Sequence, residues 1–158
     1  MGTREPVHRS HFIPQSAPRE VYDVVVDFPA YPRLFPDLKA SRVISAEPPL
    51  FRVEFRAQVV LPVRYVLDLT CDPAAPSIDW RFVEGEVVTG STGGWRFAAE
   101  RDGTQVDYRA AIDINAPLPG MILRRITDAL VSASLPKMFV SIEDEVKRRR
   151  SAGAAPRP

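Results

Sequence analysis

Residues 118–150 read LPGMILRRITDALVSASLPKMFVSIEDEVKRRR, and this closing stretch decides the fold. Its apolar residues recur at helical spacing. Ile122, Ile126, Ala129 and Ala133 form one stripe; Leu135, Phe139, Ile142 and Val146 form another. At 100° per residue the stripes differ in phase by roughly 200°. Pro136 lies at the junction, where its ring would clash with the carbonyl of Ser132. The spacing therefore predicts a long helix from Leu118 to Arg150, kinked or broken between Ser132 and Leu135, with its second half re-aimed. Lys147 to Arg150 place positive charge at the negative pole of that helix. Ser151 to Pro158 reads as a disordered tail.

A helix with an apolar stripe needs an apolar surface to cover, and the preceding chain supplies one. Val7 to Ile13 alternates as a first strand and Pro14-Gln15-Ser16 stops it. Ser16 suits an N-cap and Pro18 a first helical turn, so a helix is expected to about Asp27, with Val21, Val24, Val25 and Phe28 on one face. Pro29, Pro32 and Pro36 forbid a continuous helix through Phe28 to Asp37, which reads as one or two short turns packed under the sheet. From Leu38 the period changes to two. Leu38 to Ala46 is a strand. In the next, Phe51, Val53, Phe55, Ala57 and Val59 share one face and Arg52, Glu54, Arg56 and Gln58 the other. Val63, Tyr65, Leu67, Leu69 and Cys71 follow inward, with Arg64 and Asp68 outward. Ser77 to Glu86 turns Ile78, Trp80 and Phe82 inward. Gly90 to Gly94 reads as a turn feeding Trp95 and Phe97. Asp102-Gly103 marks a hairpin, and Val106, Tyr108, Ala110, Ile112 and Ile114 close the series inward. Such alternation describes sheets with one buried and one wetted face. The fold class is α+β: a curved antiparallel sheet of about seven strands on a long C-terminal helix, with two short helices after strand one.

The totals narrow the function. A chain of 158 residues suits one domain, here 1–150 followed by the tail 151–158, and it needs no disulfide or metal to build a core. A formal net charge of +1 argues against nucleic acid as the partner. The single cysteine, Cys71, excludes an internal disulfide and fits a reducing cytosol. Met1 to Pro6 shows no apolar signal-peptide core, and Pro6 stands where a myristoylation signal needs Ser or Thr. No apolar run reaches a membrane span. A cytoplasmic protein, with peripheral membrane contact, is expected.

The stretch Val21-Tyr22-Asp23-Val24-Val25-Val26-Asp27, followed by Tyr31-Pro32-Arg33-Leu34-Phe35-Pro36, resembles the opening of the START-like superfamily of polyketide cyclases/dehydrases and lipid transporters (Bet v 1-like). Ile78 to Gly85, Gly94-Trp95-Arg96-Phe97 and Gly103-Thr104 are similar to that superfamily in order and spacing. The likeness covers roughly residues 8 to 148 and is nearest in look to coenzyme Q-binding proteins of the Coq10 type. That type continues after its tyrosine to a Trp-Cys ending, whereas Phe35-Pro36 here leads to Asp37-Leu38. The resemblance implies a helix-grip fold with a ligand tunnel between sheet and helix.

The inward aromatics have two readings. From pattern alone they are a solid core; under the resemblance they line an apolar pocket. The residues expected to bind a ligand are then Phe55, Tyr65, Leu67, Trp80, Phe82, Trp95, Phe97, Tyr108, Ile112, Ile126 and Leu130. The hydroxyls of Tyr65 and Tyr108 need a partner if buried, such as a ketone oxygen or a water. Val59 to Val63, which has no turn residue, is either a buried corner or an apolar tip at the cavity mouth, with Pro119 to Leu123 as the other lip.

Catalytic patterns are sparse. His8 and His11, three apart on a strand, face opposite ways and cannot share a metal. No metal, nucleotide or nucleophile-elbow motif occurs, so neither a cofactor nor a set of catalytic residues is expected. Glu84 and Glu86 fall in phase with Trp80 and Phe82 and would point to the cavity rim, where burial could make a general base. Three functions follow: non-enzymatic binding or transport of a hydrophobic small molecule (a polyprenyl quinone or lipid), a polyketide aromatase/cyclase, and a ribosome-associated interaction protein. Arg124, Arg125 and Lys147 to Arg150 are the densest positive charge available to an anionic membrane or RNA.

Overall fold

The computed structural model describes residues 7–133 and 135–154. Seven strands form one antiparallel sheet: β1 (Val7–Pro14), β2 (Leu38–Glu47), β3 (Leu50–Gln58), β4 (Pro62–Asp72), β5 (Ser77–Glu86), β6 (Val88–Glu100) and β7 (Gly103–Ile114). Their order is β1-β7-β6-β5-β4-β3-β2, so every neighbour beyond the first pair is a hairpin partner. Helix α1 (Pro18–Val25), a 3₁₀ turn (Phe28–Ala30) and helix α2 (Tyr31–Leu34) separate β1 from β2. This is the helix-grip arrangement.

Helix α1 starts one residue later than the capping chemistry predicts. Ala17 is the N-cap, and the Glu20 carboxylate accepts its backbone N–H at 2.8 Å. The Ser16 hydroxyl instead donates to the Ile13 carbonyl, 2.7 Å away, tying β1 to the helix entry. The apolar face read from sequence is buried, with Val21, Val24 and Val25 fully covered. Cys71 is buried in the same core, and burial pushes its thiol up to about 12, so it packs as a small neutral hydrophobe.

The closing helix has three parts: α3 (Gly120–Asp128), a π-helical turn (Ala129–Ala133) and α4 (Leu135–Ala154). The break falls where Pro136 and the phase change require it. A π turn advances less than 100° per residue, so it takes up part of the phase difference, and the break at Pro136 re-aims α4 for the rest. Helix α4 continues to Ala154, so Ser151 to Ala154 extend the helix beyond the expected end at Arg150. Ala155 to Pro158 of the expected tail lie outside the described residues.

Two further expectations change. Gly90 to Gly94 is strand rather than turn: all of it lies in β6, and the chain reverses at Val87, whose φ is 73°. The turn after β6 is Arg101-Asp102, with Gly103 already paired to Glu100. The basic run at the end of α4 is engaged inside the molecule. Arg148 and Arg149 bind Glu145, Arg149 also binds Asp27, Arg150 binds Glu20, and Lys147 lies 3.4 Å from Glu143. The pairs to Asp27 and Glu20 strap α4 to the α1 region rather than presenting a free basic face. Among the described residues no helix is long and apolar enough to cross a membrane.

Candidate functional site

The sheet curls so that its inner face and the closing helix do not meet everywhere. Between them lies a cavity of about 130 Å³. Phe55 and Ala57 of β3, Tyr65, Leu67 and Leu69 of β4, Trp80 of β5, Trp95 of β6 and Tyr108 of β7 form its floor. Ala129 and Leu130 of the π turn and Met138 of α4 form its roof. Tyr31, Phe35, Pro36, Asp37 and Leu38 form one end, where exposed Pro36 and half-exposed Asp37 bring the cavity to the surface. A smaller recess of about 70 Å³ adjoins it, reaching Ser91, Ala110, Ala111, Ile112 and Val131 and sharing Tyr65, Leu67, Trp80, Tyr108 and Leu130.

The aromatic floor is a chain of ring contacts. Tyr31 meets Phe35 edge-on at 4.4 Å between centroids, Phe55 lies 5.7 Å from Tyr31, and Tyr65 stacks on Phe55 at 5.4 Å. On the other side Trp95 lies 4.8 Å from Tyr108 and 6.4 Å from Phe139. Such contacts hold rings in fixed orientations, so the walls are preformed.

The three tyrosines of the cavity wall behave differently. Tyr31 donates its hydroxyl to the Val25 carbonyl at 2.6 Å and is satisfied by the protein. Tyr65 and Tyr108 have no hydrogen-bond partner among the described residues. Burial raises the hydroxyl pKa of both well above the usual phenol value. Both therefore stay protonated at neutral pH and act as hydrogen-bond donors toward the cavity.

Of the eleven residues expected to touch a ligand, Phe55, Tyr65, Leu67, Trp80, Trp95, Tyr108 and Leu130 line the main cavity. Ile112 lines the recess. Phe82, Phe97 and Ile126 line neither. Phe97 does point inward, but α1 covers that end of the sheet and the Tyr22 ring meets it edge-on at 6.1 Å. Ile126 of α3 is fully buried in the core. Phe82, the ladder partner of Leu67, lies half-buried against Gly85.

The largest correction concerns the carboxylates. In the β4–β5 ladder Val66 pairs with Glu84 and Leu67 with Phe82, so Val83 is a bulge with no partner. One extra residue inverts the side-chain alternation beyond it. Glu84 and Glu86 therefore face outward, away from the cavity. Glu84 accepts from Arg64 at 3.0 Å, and Arg64 also donates to Glu54 at 2.6 Å in an outer-face charge network.

The end wall and part of the roof are absent from the residues expected to touch a ligand. Tyr31, Phe35, Pro36 and Asp37 belong to a segment whose pattern indicates only packing, although its density of aromatics and prolines is an available signal, and Leu38 begins β2. Met138 is absent from the predicted stripe, although its place three residues after Leu135 and four before Ile142 sets it on the same face of α4, a signal the spacing already carries. Val60, at the tip between β3 and β4, is 42% exposed, so that apolar turn is a tip and not a buried corner. Met121, at the start of α3, is 75% exposed. His8 and His11 face opposite ways as expected. His8 lies near Asp107, and His11 stacks on Phe139 with Nε2 3.1 Å from Glu143. Among the described residues no group of three or more metal-ligating side chains converges.

Solved structures share this architecture. TTHA0849 from Thermus thermophilus is 20% identical, with 96% of this chain and all of that one covered at a TM-score of 0.80. The Zhui aromatase/cyclase from Streptomyces sp. R1128 is 18% identical over 96% of this chain and 100% of its own, at 0.74. A START superfamily protein from Mycobacterium smegmatis is 16% identical over 93% and 99%, at 0.72. At such identities the likeness is one of fold. No curated protein matches the sequence. The family model for polyketide cyclase / dehydrase and lipid transport matches residues 15–139, from the entry of α1 to Phe139 of α4, and so takes in the cavity floor and its roof; the chain belongs to that family.

Proposed function

We propose that this protein binds an apolar, ring-bearing molecule with a hydrogen-bond acceptor, such as a polyprenyl quinone or a comparable lipid, in the cavity between sheet and closing helix, without transforming it. The observation that supports this most directly is a preformed apolar chamber whose wall carries the Tyr65 and Tyr108 hydroxyls, neither with a hydrogen-bond partner among the described residues. An acceptor oxygen on the guest would satisfy them. A cavity of about 150 Å³ lined by apolar side chains is known to take benzene, and the chamber here is about 130 Å³. It therefore suits a ring or head group, with any tail leaving past Pro36 and Asp37. Burying about 200 Å² of such a guest at ~25 cal/mol per Å² supplies roughly 5 kcal/mol before ordering costs. Exposed Val60 and Met121 are suited to contact with a membrane from which such a guest is drawn.

The purified protein extracted with organic solvent should release a hydrophobic molecule identifiable by mass spectrometry. A short-chain ubiquinone should bind in calorimetry. Tyr65→Phe and Tyr108→Phe should each weaken that binding by roughly fivefold to tenfold, the worth of one hydrogen bond, with unchanged thermal stability. An empty extract together with no heat of binding for quinones or lipids would sink the proposal.

A second reading is aromatase/cyclase activity on a poly-β-ketone chain. What favours it is Asp37 at the cavity mouth beside a floor carrying two protonated phenols, an acid–base set suited to enolisation and dehydration. Identical product mixtures with and without the protein would remove it.

A further inference from the structure

The binding function proposed above leaves the size of the guest open, and the β5–β6 pair bears on it. Trp80 and Gly93 are ladder partners and share the inner face. A Cβ at Gly93 would stand 2.3 Å from Trp80 Cζ2 and 2.7 Å from Cε2. The indole therefore lies across bare backbone, in the space a side chain would fill. Its Nε1 donates to Ser91 Oγ at 3.1 Å, and its ring lies 6.0 Å from the Tyr108 ring. Three contacts thus hold one large side chain flat against the sheet. Trp80 also belongs to the walls of both the 130 Å³ chamber and the 70 Å³ recess, whereas Ser91 and Ile112 belong to the recess alone. The indole is one of five side chains common to the two, with Tyr65, Leu67, Tyr108 and Leu130, and it is the one that overlies bare backbone.

We propose that Trp80, seated on Gly93 and latched by Ser91, is the size-limiting residue of this binding site, so that the chamber takes single-ring oxygenated molecules (phenols or simple quinones) and excludes fused two-ring ones. The inference rests on the binding function proposed above. Shortening the indole frees its volume toward both chamber and recess, whose common walls carry the Tyr65 and Tyr108 donors.

Titration of the full chain with 4-methylphenol and with 2-naphthol separates size from chemistry, because both present one aromatic hydroxyl. The wild-type protein should bind 4-methylphenol at least roughly tenfold more tightly, the scale on which a pocket discriminates by shape. Trp80→Leu should reverse that order, and Ser91→Ala should narrow the difference. Gly93→Ala should drive the indole into the chamber and abolish binding of both. That variant also brings its Cβ within 2.4 Å of the Arg109 carbonyl, so it is read only if its melting curve is native-like. Equal affinity of the wild-type protein for the two phenols, or an unchanged preference in Trp80→Leu, overturns the size limit and leaves the binding function standing. Binding of neither phenol, with no quinone or lipid bound either, overturns both.

Discussion

Phe139→Ala is expected to destabilise the fold by about 4 kcal/mol, in the range for deleting a buried ring. Phe139 is 5% exposed and is the point at which α4 reaches across to the sheet. Its ring stacks on His11 of β1 at 5.0 Å and meets Trp95 of β6 edge-on. One turn further along α4, Glu143 lies 3.1 Å from His11 Nε2, so strand and helix are joined twice at this level. Alanine would leave a void where the surrounding rings are already pinned by one another and cannot collapse. Because Trp95 is also a cavity wall, ligand affinity should fall along with stability. Urea unfolding followed by tryptophan fluorescence measures the loss directly. A loss under about 1 kcal/mol would mean that α4 is held elsewhere and that the grip assigned to this residue is wrong.

Glu145→Gln is expected to cost about 2 kcal/mol at neutral pH and to change the acid limb of the stability curve. The carboxylate is 4% exposed and receives Arg33 at 2.8 Å, Arg148 at 2.6 Å and Arg149 at 2.8 Å. Hydrogen bonding from Arg148 first, then from Arg33 and Arg149, holds its pKa down to about 2 against the opposing effect of burial. The guanidinium groups are partly in water, which screens them and keeps the cost below that of breaking a fully buried pair. A depressed carboxylate stabilises the fold above its ordinary pKa, and that contribution is lost as pH falls toward the depressed value. Stability from Glu145 is thus complete above about pH 4.5 and lost progressively toward pH 2. Glu20, Glu54 and Asp68 are lowered in the same sense by Arg150, Arg64 and Arg52, so the acid limb is shared. Glutamine in place of Glu145 should flatten only one part of it. Thermal melts of both proteins between about pH 2 and 6 test this, spanning the window over which the carboxylate titrates; parallel curves through that window would refute the assignment.

These two residues show how differently the parts of the molecule can be read. Phe139 is visible in the sequence, because its stripe and the alternation of Trp95 and Phe97 both announce buried faces. Glu145 is not, because its partners come from α2 and from its own helix, and Arg33 is 112 positions away. The cavity divides in the same way. Phe55, Tyr65, Leu67, Trp95 and Tyr108 follow from period-two alternation once the strands are recognised. Tyr31 and Asp37 do not, since a turn rich in proline has no period from which a facing direction can be read.

By itself the sequence determined the element order, the sheet's inner face and the break in the closing helix. Each of these is written in local periodicity and in where proline can sit. Only the tertiary structure decided that Val83 bulges and turns Glu84 outward, and that the helix break is a π turn roofing the cavity. It also decided that Gly93 is bare so that Trp80 can lie over it. Each of those depends on which strand or helix stands opposite, and the distances that settle it are measured across the sheet rather than along the chain.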